Sequence, residues 1–273
     1  MAVIYLDYNI LMKLMDGCLP KVSEKIEELR SSKKVIFPYS PAHIEEISVS
    51  KLHGKASDEM ILEKLGFIDR FTEQMELHPA RGRPTRLLKE ASLECYKRVV
   101  AAPNDYLHDL EESRLREFSE HEGKTFTANV STNIPYDRVF DNEDVRSAFR
   151  GFMLKRVRNE AFHKVDSFRE QASFPSLRWR HEDVEVIFEL LFNFMETIRY
   201  SPEPVKKYRS RMHDISHSIY GSAADVIVTD DRRFLRKLRT VYYFLSVGSL
   251  ALHTDEFLSH EALHLLQDHS SFI

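Results

Sequence analysis

Apolar residues recur in two rhythms along this chain. Short β-branched or apolar runs at residues 3–6, 35–37 and 226–228 each stop abruptly at polar residues, the mark of buried strands. A weaker run at 241–245 predicts a fourth strand. Residues 10–14, and Val22, Ile26 and Leu29 within 21–30, carry helical spacing instead. Pro41 opens a further helix, at a position where its missing N–H costs nothing. Strand–helix alternation at both ends of the chain predicts an α/β fold, a central parallel sheet with helices on both faces.

The middle has a different rhythm. From about residue 57 to 200 the pattern is amphipathic and helical (60–76, 85–100, 144–171 and 182–199), with almost no strand signal. Breaks fall at 80–84, 102–105, 123–137 and 173–176. This predicts a discontinuous α/β core, residues 1–56 and 201–273, closed around a mainly helical insertion, 57–200. A separate helical domain spliced into a loop would produce the same pattern. The aromatic helix at 184–200, with Ile187, Phe188, Leu191, Phe192 and Met195, reads as core, with a dimer or partner surface as the other reading.

Composition narrows the classes. With 42% apolar and 30% charged residues over 273 positions, the chain can bury a sizeable core. A net charge of −4 argues against binding nucleic acid by overall charge and leaves room for local basic surfaces. Cys18 and Cys95 are far apart and form no CxxC, which excludes a disulfide framework or a cysteine zinc site and suits cytosolic thiols. The first residues meet Asp7 too early for a signal-peptide core, and the most apolar stretch, 186–195, is broken by Glu189 and Asn193. The expectation is a soluble cytoplasmic protein with no membrane partner.

The acids carry the chemistry. Asp7 directly follows the first strand, with Asn9 two residues on; Glu45 and Glu46 lie early in the helix after the second; Asp230 and Asp231 directly follow the strand at 226–228. Asp214 is expected to open the helix before that strand. Residues just past the carboxyl ends of parallel strands share one edge of the sheet, where ligands bind. Carboxylates gathered there repel unless a cation sits among them, and an all-oxygen set suits Mg²⁺ or Mn²⁺. Such an ion activates water and neutralises a phosphodiester, so metal-assisted phosphodiester hydrolysis is the chemistry suggested. Any one of these acids alone is more simply a helix N-cap or a first-turn acid; four in the same kind of position reverse the balance toward function. Asp225 precedes its strand and reads as structural.

With these segments in place, the chain resembles the PIN-domain nucleases, and in particular the small toxin-type ribonucleases. The matching residues are Ile4-Tyr5-Leu6-Asp7-Tyr8-Asn9, then Glu46 followed by Ile47 (Glu45 being the close alternative), then Asp214, then Thr229-Asp230-Asp231. The likeness covers chiefly 3–50 and 210–250, and the long stretch between Glu46 and Asp214 departs from the compact family pattern. It implies a three-layer α/β/α domain and a Mg²⁺- or Mn²⁺-dependent endonuclease, most often on single-stranded RNA. It also implies Asp7, Glu46, Asp214 and Asp231 as catalytic metal ligands, with Asp230 as an extra carboxylate. An inhibitor or antitoxin-like partner and a homodimer accompany that picture.

Other residues stand near these acids. His43 lies three residues before Glu46 and His217 three after Asp214, so each shares a helix face with its acid and is a candidate to support the site, as is Thr229. Arg232 and Arg233, next to the last acid, are candidates for phosphate. Between Arg146 and Arg180, nine Lys/Arg stand against three acids, with Phe149, Phe152, Phe162, Phe168, Phe174 and Trp179 interleaved; the run is either a nucleic-acid surface or a solvated helix face with its aromatics turned inward. Two alternatives compete with the nuclease. One is an HD-type metal phosphohydrolase built on His213-Asp214, with His163 or His181 upstream, which requires an all-helical fold. The other is a non-catalytic PIN-like scaffold that binds RNA or protein.

Overall fold

The structure is a computed structural model describing residues 1–32, 34–102, 134–156, 174–202 and 208–259. Four parallel strands form the sheet: β1 (Ala2–Leu6), β2 (Val35–Ile36), β5 (Val226–Thr229) and β6 (Leu250–His253), in the order β2-β1-β5-β6. Registers pair Leu6 with Val228 and Thr229 with His253.

Period-two alternation buries both faces of this sheet. Tyr5 and Ile227 point into one apolar core, Ile4, Leu6, Val226 and Val228 into another. The first core is completed by α8 (His181–Thr197), α9 (Tyr208–Gly221) and α10 (Arg232–Leu245). The second is completed by α1 (Tyr8–Met15), α2 (Pro20–Ser31) and α11 (Thr254–Leu258). The architecture is therefore α/β, a parallel sheet flanked by helices. The aromatic helix α8 is core as expected, with Phe188, Phe192, Phe194 and Met195 fully buried. It packs with Tyr5 and Ile227, so residues from the middle and both ends of the chain share one apolar core.

The chain leaves β1 for β2 on one side and returns to β5 on the other. The order of strands reverses between β1 and β5, and in open α/β sheets the crevice outside the carboxyl ends at such a point is where ligands bind.

Two expectations are corrected. Residues 241–245 are the last turns of α10, because Phe234, Leu238, Val241 and Leu245 bury one stripe at helical spacing. The middle holds an antiparallel hairpin, β3 (Met75–His78) and β4 (Arg86–Lys89), where helices were expected to run through. Helix α4 (Asp58–Thr72) ends before it at Glu73 and Gln74, both left-handed, and α5 (Ser92–Ala101) starts after it. The hairpin is tied to the chain after β2, since the Tyr39 N–H donates to Met75 O and the Leu77 N–H to Tyr39 O.

Beyond these, α3 (Pro41–Leu52) begins at the expected proline, behind a Ser40–His43 capping box. The helix expected over 144–171 is seen as α6 (Glu143–Arg156), and a short helix, α7 (Phe174–Leu177), stands where a break was expected at 173–176. Residues 157–173, with His163, Phe162, Phe168 and part of the basic run, lie outside the described residues, as do 103–133 with most of the break expected at 123–137. Phe149 and Phe174 are buried and Trp179 is exposed. No helix among the described residues is long and apolar enough to cross a membrane.

Candidate functional site

Three elements meet at the strand-order reversal. Asp7 is the N-cap residue of α1, carried there directly by β1, and its backbone N–H donates to Val228 O of the neighbouring strand. Glu46 comes from the second turn of α3 and His217 from α9. Ligating atoms of these three side chains all lie within 4.8 Å of one another. His217 Nε2 is 2.9 Å from Glu46 Oε1 and 3.7 Å from Asp7 Oδ1. Asp7 and His217 are buried, while the Glu46 side chain is 20% exposed and forms the solvent edge.

Behind His217 stands a buried hydrogen-bond array. The Tyr5 hydroxyl is 2.7 Å from both His217 Nδ1 and Ser40 Oγ. His43 Nε2–H donates to Leu6 O at 2.8 Å, and its Nδ1 accepts from the Ser40 N–H at 3.0 Å, so His43 is a neutral imidazole with both nitrogens committed. Burial, and then the neighbouring His217, hold its pKa down to about 3. His43 is thus a brace between β1 and α3.

His217 goes the other way. Burial alone would lower its pKa, but the hydrogen bond to Glu46 and the charges of Asp7, Glu46 and Glu45 outweigh that and raise it. Burial raises Glu46 as well, against its hydrogen bond from His217. The hydrogen bond across the 2.9 Å Nε2–Oε1 contact acts on both groups, raising His217 and opposing the rise of Glu46. Burial pushes the Tyr5 phenol well above its usual range, so its hydroxyl acts as donor and acceptor only. Thr229 Oγ1 donates to Asp7 Oδ2 at 2.8 Å, leaving Oδ1 turned toward His217.

The remaining predicted residues separate into distinct settings. Glu45 is buried toward α9, its Oε2 4.0 Å from His213 Nδ1, because consecutive helical residues point about 100° apart. Asp214 lies in the middle of α9 instead of opening it, about 4.5 Å along the axis from His217 and outside the three-donor group. Asp231 caps α10: its Oδ1 accepts from the N–H groups of Arg233 at 2.7 Å and Phe234 at 3.0 Å. Asp230 pairs with Lys13 and accepts from Thr254 Oγ1, at the start of α11, at 2.7 Å, and these, Lys13 foremost, lower its pKa. Asn9 is exposed on α1; Arg232 and Arg233 are exposed on the first turn of α10. Asp225 accepts from the Val3 N–H at 2.7 Å and is structural, as expected.

Two participants were missed or undervalued. Tyr5 reads as one more apolar strand residue, and nothing in the pattern separates it from its neighbours. Lys64, from α4, donates to the Tyr8 hydroxyl at 3.2 Å and places positive charge near Glu46. A second compact group, Glu76, His78 and Glu90, is bridged by Arg98, which bonds to Glu76 at 2.7 Å and Glu90 at 2.6 Å. Compared with family models, curated proteins and solved structures, the chain matches none.

Proposed function

We propose that this chain is a metal-dependent endoribonuclease that hydrolyses single-stranded RNA, with Asp7, Glu46 and His217 holding Mg²⁺ or Mn²⁺. The observation that carries the reading is the convergence of two carboxylates and one imidazole, from three elements, where the strand order reverses. The donor set fits a divalent ion, and its nitrogen favours Mn²⁺ over Mg²⁺, which prefers oxygen throughout. The ordered likeness to PIN-domain nucleases at Asp7, Glu46 and Thr229-Asp230-Asp231 supports the same chemistry. In that reading residues 1–56 and 201–273 form the nuclease core and 57–200 its insertion. The parallel sheet favours it over an HD-type phosphohydrolase, whose fold is helical throughout.

When bound, the ion supplies Lewis acidity toward the phosphodiester and the attacking water. The protein's part is preorganisation. Thr229 orients the Asp7 carboxylate by donating to Oδ2. With an ion bound, His217 Nδ1–H would donate to the Tyr5 oxygen 2.7 Å away, and the Nε2 lone pair would face the two carboxylates. The Glu46 oxygen not bonded to His217, at the solvent edge, would take a proton from the attacking water as its oxygen bonds to phosphorus, while the leaving nucleoside oxygen would take a proton from solvent as its P–O bond breaks.

The test is cleavage of a labelled single-stranded RNA in Mn²⁺. The wild-type chain is expected to cut, and Asp7→Asn and Glu46→Gln to lose at least a hundredfold in rate while keeping the wild-type circular-dichroism spectrum. Undiminished cleavage by either variant would overturn the site.

A further inference from the structure

A second feature lies on the same edge of the sheet. A cleft of about 490 Å³ opens between α10, the start of α11 and the segment at 134–136. That volume is within the range of small-ligand sites. Its long wall is a stripe on α10, Arg232, Arg236 and Arg239, spaced i, i+4 and i+7 on one face. Tyr136, Tyr200 and His253, the last residue of β6, also line the cleft, with the acids Asp255 and Glu256.

The cleft lies two strands away from the proposed centre. His253 is in register with Thr229, and Thr229 bonds to Asp7 from the adjoining strand. Two strand spacings, roughly 10 Å, therefore separate the end of β1 from His253 at the end of β6. The arginine stripe is about 10 Å long, longer than the ~3.4 Å rise per nucleotide of a stacked strand, so it faces more than one phosphate.

The wall residues differ in how firmly they are held. Arg239 is fixed, donating Nε and NH2 to Ala251 O and pairing with Glu256 at 2.5 Å. It lies 6.0 Å from the centre of the Tyr136 ring and supports it from one side. Tyr136 is 42% exposed, with Tyr243 meeting it edge-on at 81°, so an aromatic face remains in the cleft. Arg232 pairs with Asp255 at 3.1 Å, but both side chains are more than 70% exposed, and such a pair is easily exchanged for a phosphate. Arg236 is exposed beside it and donates from NH1 to Ser201 Oγ at a long 3.5 Å.

We infer that this cleft binds the stretch of single-stranded RNA flanking the cut, with phosphates on Arg232 and Arg236 and one base stacked on Tyr136. The inference takes its ligand from the proposed function, but binding can be read without cleavage. The experiment is fluorescence anisotropy of a fluorescein-labelled single-stranded RNA of about 12 nucleotides with the full chain in EDTA, over a series of salt concentrations. The Arg232→Ala/Arg236→Ala variant is expected to weaken binding at least tenfold and to flatten the salt slope by about 1.4, the value for two lost contacts on a single strand. Tyr136→Ala is expected to weaken binding about tenfold with the slope unchanged, and Tyr136→Phe to bind as the wild type. Wild-type affinity and slope in both alanine variants would overturn the inference. Cleavage that needs Asp7 but ignores all three cleft residues would also overturn it, leaving the metal site standing. Binding that needs these residues in a chain that cuts nothing with Mn²⁺ would support the cleft and reject the nuclease.

Discussion

At the scale of single residues, the site depends on which way one imidazole faces. His217 has carboxylates at Nε2 and a phenol at Nδ1, and only the phenol determines whether the Nε2 lone pair is presented to an ion. Removing an outer partner of a ligating histidine costs roughly 10- to 100-fold in metal affinity. Tyr5→Phe is therefore expected to weaken Mn²⁺ binding by that factor, measured by titration calorimetry, while His43 keeps β1 joined to α3. Gly221 makes a different kind of demand. A Cβ there would lie 2.5 Å from Ile227 Cδ1 and 3.1 Å from Ile227 Cβ, at the end of α9 beneath the site. Gly221→Ala is expected to cost about 1–3 kcal/mol in chemical denaturation, the usual penalty for overpacking.

Residues like Asp7 and Glu46 were legible because a carboxylate at the end of an apolar strand, or early in the next helix, is conspicuous. Tyr5 was not, since a tyrosine in a buried strand looks like packing until its hydroxyl has partners. His217 was visible only as a neighbour of Asp214. A helical face is shared by residues three apart, and sequence alone does not say which of the two reaches inward.

At the scale of elements, β1, β2 and β5 were legible from β-branched runs, whereas β3, β4 and β6 were not. Their sequences, MELH, RLLK and LALH, consist largely of good helix formers, and pairing with a neighbouring strand overrides that preference. The run at 241–245 shows the converse: strand-like residues held in a helix by a buried stripe. Element ends also explain Asp231. As the cap of α10, its replacement by Ala is expected to cost about 1 kcal/mol in thermal or urea unfolding, and Asp231→Asn to recover most of it. A ligand role for Asp231 predicts instead that Asn and Ala both lose metal binding, so the two variants separate capping from chelation.

At the scale of the whole molecule, the parallel sheet brings together residues more than 200 positions apart. The alternation of strands and helices at both chain ends was enough to foresee that meeting. The hairpin was not foreseen, and it carries its own electrostatics. Glu76 is fully buried; burial and the adjacent Glu90 push its carboxyl up to about 8, against the pull of Arg98. An acid whose folded pKa exceeds its unfolded value binds more protons when folded, so its contribution to stability falls as pH rises between those two values. The melting temperature is expected to decline from about pH 5 to pH 8 more steeply in the wild type than in Glu76→Gln, measured by calorimetry across that window.

The most direct measurement of the central claim is Mn²⁺ titration of the full chain by calorimetry, with Asp7→Asn and His217→Ala alongside and circular dichroism as the control for folding. The account predicts saturable uptake by the wild type, weakened at least tenfold in each variant. Absence of Mn²⁺ uptake by the wild type, or equal affinity in folded variants, would contradict it.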